Sequence, residues 1–267
     1  MQRKDHVCCL TIHKTQPGKA FSSRLGKQVA VPKIEREYGV TKLFNCFRNQ
    51  FTCEVCGEKI DLKKWNMQAN SKDVLVIDSL TGLAGLIEYA VVGNRAIDQQ
   101  DWGEILKNWK ELAWYLLVDW PGHIYITGHL QTKEQNGIQY SSPLFAGNGG
   151  KSAFYPNLDD IFLASKSSKE FIWDTSNSSL WLSTNRFLNP TRKLTPDYAH
   201  VHNAWLDQPE NQRTRGAKIL VYGESGTGKT HAIKTILEAG LNPVVIFTEN
   251  SHHTLTKVGT EFFKTKM

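Results

Sequence analysis

Gly223-Glu224-Ser225-Gly226-Thr227-Gly228-Lys229-Thr230 is the stretch on which the fold of this chain turns. It satisfies the pattern G-x-x-x-x-G-K-[ST] in full. An apolar run, KILVY (218–222), leads into it, and HAIKTILEAG (231–240), apolar at helical spacing, follows it. A strand, a glycine loop and a helix in that order form a phosphate cradle. The glycines let the backbone wrap so that its N–H groups point inward, and the start of the helix adds partial positive charge. The pattern predicts that Gly223 through Thr230, with His231, hold the phosphates of ATP. Lys229 is expected to reach the β- and γ-phosphates, and the Thr230 hydroxyl to ligate Mg²⁺.

Such a loop needs an acidic residue for the Mg²⁺ at the end of a neighbouring buried strand. Asp78 ends VLVID (74–78), a short β-branched run that reads as such a strand. A strand-end aspartate that caps the next helix is the competing assignment. Glu249, at the end of PVVIFTE (243–249), is the candidate base or water-orienting group, against an exposed strand-end glutamate. HIYIT (123–127) reads as a second buried strand, and Thr127 or His129 at its tip is placed to sense the γ-phosphate.

With 267 residues, 40% hydrophobic and 22% charged, the chain has the composition of a soluble globular protein. No apolar run approaches the ~18 residues of a membrane span, and MQRKDH does not begin a secretory signal. The expectation is a cytoplasmic protein, in a host cell's cytoplasm if a phage encodes it, with reduced cysteines. The net charge of +6 suits nucleic acid as a partner without requiring it. Residues 1–70 are basic and hold all five cysteines; 71–205 carry the regular strand and helix patterns; 206–267 open with the polar DQPENQRTRG and contain the glycine loop. Cys53-x₂-Cys56 is half a zinc knuckle. Cys46 would be a third ligand, and Cys8, Cys9, His6 or His13 a fourth, with plain reduced thiols as the alternative. Trp102, Trp109 and Leu116 share a helical face expected to pack. EFIWDT (170–175) and SLWLST (179–184) suggest a hairpin.

YGESGTGKT, VIFTEN, VLVIDSLTGL, VVGN…DWG and IYITGHL together resemble the RecA-type ATPases, and among them the bacteriophage ATP-binding proteins, often labelled AAA-family, that act as single-strand annealing recombinases. The resemblance spans 71–200 and 213–260. It implies an α/β fold, a mostly parallel sheet flanked by helices, with Lys229 and Thr230 at the Walker A positions and Asp78 at Walker B. It implies Glu249 as the catalytic glutamate and His129 as the γ-phosphate reporter. It makes 130–152 a mobile DNA-binding loop in which Lys133 and Lys151 meet phosphates and Tyr140 or Phe145 stacks on bases; a plain solvated connection is the other reading of that loop. The motif order departs from the family: Asp78 precedes the glycine loop. The pieces are rotated, as in a circular permutation with DQPENQRTRG joining old end to old start. A permuted gene, a reading frame cut at the ends of a circular genome, and a fusion of two incomplete copies all give that order. The function implied is ATP hydrolysis coupled to single-stranded DNA in phage recombination or annealing. A homo-oligomer or ring and a phage single-strand-binding protein are the expected partners. A helicase or DNA-packaging motor of the same fold, or a non-hydrolysing nucleotide- and DNA-binding accessory protein, are the alternatives.

Overall fold

The computed structural model describes residues 72–248, apart from 94, 146, 169, 177 and 192, together with short strands near the N-terminus. Those are β1 (Cys8–Thr11), β2 (Lys19–Ser22), β3 (Lys27–Ala30), β4 (Gln50–Thr52) and β5 (Lys59–Asp61). Then come β6 (Asp73–Asp78), α1 (Leu80–Val92), α2 (Asp101–Ala113), β7 (His123–Gln135), β8 (Ile138–Pro143) and α3 (Gly147–Phe154). β9 (Asp160–Ser167), β10 (Glu170–Asp174), α4 (Tyr198–Leu206), β11 (Lys218–Gly223), α5 (Ile233–Glu238) and β12 (Asn242–Phe247) complete the order.

The main sheet has eight strands, ordered β1-β12-β6-β7-β11-β9-β10, with β8 paired to β7. β1, β12, β6, β7, β11 and β9 run parallel, and β10 and β8 are antiparallel additions. β11, which feeds the glycine loop, sits between two strands of the preceding segment, β7 and β9. The fold is therefore α/β with a mostly parallel sheet covered on both faces.

Period-2 alternation explains the covering. Leu75, Ile77, Ile124, Ile126, Leu220 and Ile246 point to one face, where α1, α2 and α3 supply Leu83, Ile87, Trp109, Leu112 and Phe154. Val74, Val76, Tyr125, Ile219, Val221 and Val245 point to the other, against Tyr198, Val201 and Trp205 of α4 and Ile233 and Ile236 of α5.

Several expectations are corrected. The helix expected over 231–240 is regular only over Ile233–Glu238; the turn before it is held by i→i−3 bonds, among them Ile233 N–H to Thr230 O at 3.2 Å. Residues 179–184 make no hairpin with 170–175. β10 pairs with β9, and Trp181 and Thr184 form only isolated bridges to Ser141 and Ile161. Trp109 and Leu116 are buried as expected, but Trp102, in the first turn of α2, is 41% exposed. Residues 130–143 are not a loop: β7 continues through Gln135 and returns as β8 across Asn136-Gly137, both at positive φ. That two-residue turn matches the twist of the strands it joins. Phe145 is core, its ring 4.3 Å from Trp109 and 5.6 Å from Phe154. Among the described residues no helix is long and apolar enough to cross a membrane. Cys46, Cys53, Cys56, His6 and His13 lie outside the described residues, as does Glu249.

The end of the sheet remote from the glycine loop is closed by a polar network. Asp159 accepts from Arg186 (2.8 Å), Arg215 (3.0 Å) and the Lys218 N–H (2.8 Å). The buried Lys218 Nζ donates to the carbonyls of Trp120 (2.7 Å) and Gly122. These contacts bind the end of DQPENQRTRG to the sheet. Beside them, Asp160 accepts from the N–H groups of Arg186 (2.9 Å) and Phe187 (3.3 Å) through one oxygen. Burial pushes its carboxyl from 3.8 up to about 6, against those N–H bonds and with some help from Asp159. The folded acid holds its proton more tightly than the unfolded one. Its contribution to stability is thus complete below about pH 4 and lost as pH rises through about 6. Asp160→Asn is expected to remove this slope, on the order of 3 kcal/mol at most. Urea unfolding of both proteins across that interval, read as the difference between them, checks it.

Candidate functional site

The parallel pairings end at one level, and there the sheet gathers the glycine loop, Asp78, Thr127 and His129. Such a strand-end crevice is where open α/β sheets place ligands. β11 ends at Gly223, opposite His129 of β7 on one side and Ala164 of β9 on the other. β6 ends at Asp78, opposite Phe247 of β12.

The loop geometry follows from its glycines. A Cβ at Gly223 would stand 2.2 Å from the Ala164 carbonyl oxygen, a backbone atom with no room to yield. Gly226 and Gly228 have φ of 77° and 80°, which side chains rarely adopt. Glu224, Ser225 and Gly226 are exposed; Thr227 and Lys229 are buried. The Lys229 ammonium turns back across the loop and donates to the carbonyls of Gly223 (2.9 Å) and Glu224 (2.6 Å), with Thr227 Oγ1 at 3.4 Å. Thr227 itself donates to Glu224 O at 2.8 Å. A cation held over a wrapped loop by neutral carbonyls can exchange them for anionic phosphate oxygens, which bind it more strongly.

Asp78 meets this loop directly. Thr230 Oγ1 donates to Asp78 Oδ2 at 3.1 Å, across 152 residues of sequence. Thr127, fully buried on β7, donates to Asp78 Oδ1. Thr127 therefore orients the carboxylate. Asp78 is not the helix cap: Ser79 caps α1, accepting from the Gly82 N–H at 3.2 Å. The Asp78–Ser79 peptide is cis. Thr248 Oγ1 accepts from the Ser79 N–H (2.8 Å) and donates to Ser79 O (2.6 Å), locking β12 to the end of β6.

One carboxylate and one hydroxyl oxygen side by side, opening onto a cationic loop, suit Mg²⁺, which keeps several waters and takes phosphate oxygens as its other ligands. Among the described residues no group of three or more His, Cys, Asp or Glu gathers for a metal.

Tyr125 was not anticipated. Its buried hydroxyl donates to Lys229 O at 3.1 Å, and burial first, then the Asp78 charge, hold its pKa well above the ordinary value. It stays a donor and pins the loop to β7. The alternation of HIYIT placed Tyr125 on the α4–α5 face, but not this partner. The His129 N–H donates to Thr81 Oγ1 at 3.1 Å. His231 lies exposed in the turn after Thr230. Partial burial, with Lys234 beside it, lowers its pKa from 6.5 against the pull of Glu238, so the imidazole is neutral at physiological pH.

With Phe145 in the core, the other three residues expected to meet nucleic acid lie in the β7–β8 hairpin and in α3. Lys133 and Tyr140 are cross-strand partners in the β7–β8 hairpin. Lys151, in α3, has its pKa lowered by burial and then by Lys133, so the two ammonium groups feel one another. Set beside known proteins, the chain matches no family model, no curated protein and no solved structure.

Proposed function

We propose that this chain is an ATPase with a RecA-like, circularly permuted core that acts on single-stranded DNA in recombination or annealing. The observation that carries the proposal is the 3.1 Å hydrogen bond from Thr230 to Asp78. The glycine loop and the strand that ends in Asp78, far apart and in inverted order in sequence, meet at one end of one sheet. The strand between them, β7, carries Thr127 and His129 where its pairing with β11 ends.

In this reading Lys229 transfers its ammonium from the Gly223 and Glu224 carbonyls to the β- and γ-phosphates. Thr230 and Asp78 would hold Mg²⁺, which would neutralise charge on the phosphate oxygens. Glu249 orients the water that attacks the terminal phosphorus, giving ADP and phosphate, and His129 reports the γ-phosphate. β7 supports the coupling to DNA. It is one unbroken strand from Thr127, on the Asp78 carboxylate, to Lys133 in the hairpin, a span of about 20 Å.

The test is ATP turnover with and without single-stranded DNA, on protein of measured oligomeric state. Wild-type turnover is expected to rise with DNA. Lys133→Ala/Lys151→Ala is expected to lose that stimulation and flatten the salt dependence of DNA binding, while DNA-free turnover stays the same. Turnover indifferent to DNA would leave the ATPase and sink the recombinase reading. Nucleotide binding without phosphate release would identify the non-hydrolysing accessory protein instead.

A further inference from the structure

The β9–β10 hairpin reaches past the strand that feeds the glycine loop. β11 stops at Gly223, whose partner on β9 is Ala164. β9 runs on through Ser165, Lys166 and Ser167 before the chain returns as β10. Lys166 thus stands about 7 Å beyond the last paired position, on the side of the loop. Its cross-strand partner is Phe171, and such partners project from the same face. Phe171 touches the loop: a Cβ on Gly228 would lie 3.0 Å from its Cδ1 and 3.2 Å from its Cγ. The ring therefore borders the residue just before Lys229. It remains 38% exposed, and the Lys166 ammonium lies 5.4 Å from its centroid.

Single exposed hydrophobic residues are ordinary. Phe171 differs in where it stands, since its strand neighbours Ile172 and Trp173 are buried while its own ring lies half in water beside a phosphate loop. We infer that Phe171 is the platform on which the base of a purine nucleoside triphosphate stacks, with Lys166 donating to acceptors on the base edge. This rests on reading residues 223–230 as the phosphate loop. Stacking uses a π-face that every base has, so the platform does not separate adenine from guanine. A purine covers more of the ring than a pyrimidine, so ATP and GTP bind more tightly than CTP and UTP.

The experiment is calorimetric titration with ATP, CTP and inorganic tripolyphosphate, all with Mg²⁺, on wild type, Phe171→Leu, Phe171→Trp and Lys229→Ala. Leucine keeps apolar bulk against Gly228 and removes the π-face. Phe171→Leu is expected to weaken ATP about tenfold and leave tripolyphosphate unchanged, while Phe171→Trp holds ATP at least as tightly as wild type. Lys229→Ala is expected to weaken both ligands. The inference is overturned if Phe171→Leu leaves ATP unchanged or weakens tripolyphosphate as much as ATP, because the ring then only packs the loop. Wild type binding tripolyphosphate as tightly as ATP also overturns it and leaves the phosphate loop standing. Wild type binding neither ligand overturns both.

Discussion

Lys229→Ala is expected to lower ATP turnover by at least ~10²–10³-fold, the scale for losing one charge-stabilising donor from a preorganised site. The substitution removes the one ammonium that bridges the loop, with its bonds to Gly223 O, Glu224 O and Thr227 Oγ1. Of the carbonyls released, Glu224 O belongs to an exposed residue where water can replace the donor, whereas Gly223 O is buried and loses it. The stability cost should therefore be about 1–3 kcal/mol. A second readout separates loss of chemistry from loss of binding. Saturating ATP with Mg²⁺ should stabilise the wild type by about 2.7 kcal/mol at a hundredfold excess over Kd, and the variant hardly at all. A variant that turns over ATP at the wild-type rate would show that hydrolysis, wherever it occurs, does not use this loop.

The glycine loop and the Asp78 strand were legible because their constraints are local. Gly226 and Gly228 occupy backbone conformations that other residues avoid, and VLVID is a buried run with a polar end. That Asp78 and Thr230 meet was only an expectation, since strand order decides it. The sheet brings them together by placing one strand, β7, between β6 and β11.

The β7–β8 hairpin is hidden in the sequence for another reason. LQTKEQ and IQYSSP flank Asn136-Gly137, a strong two-residue turn signal, but their polar composition resembled a loop. Six register pairs from Leu130–Pro143 to Gln135–Ile138 hold it together, so the backbone ladder rather than side-chain burial makes the element. A helix after Asp78 is expected from the sequence, but not its extent. Leu80, Leu83, Leu86 and Ile87 carry helical spacing and Ser79 a cap, but two glycines in the first turns mask the pattern. Phe145, an aromatic residue among polar neighbours, looks available for stacking, but its ring fills the space between α2 and α3. The sequence carries no signal for the partners of Tyr125 and Thr248. Their importance lies in which atoms they face across the sheet.

Asp78→Asn is the sharper test of the assembled site, because it changes charge while nearly preserving shape. Thr127 and Thr230 both donate to the carboxylate. An asparagine keeps one acceptor oxygen and presents an amide, toward which one hydroxyl rotates to accept. Folding should lose no more than about 1–2 kcal/mol. Ser79 continues to cap α1 through Gly82, so the helix has no reason to fray. Mg²⁺ is different: a neutral amide oxygen holds a hard divalent cation far less well than a carboxylate. Turnover is expected to fall ~10³-fold, and ATP binding in excess chelator to be the same as in the wild type. Asp78→Ala separates the two contributions. It also lacks the charge, but leaves the buried Thr127 hydroxyl without its acceptor, which adds about 1–3 kcal/mol of destabilisation. If Asp78→Asn keeps wild-type turnover and Mg²⁺ dependence, the Thr230–Asp78 bond is a structural clasp between the two halves of the sheet, and the metal is held elsewhere.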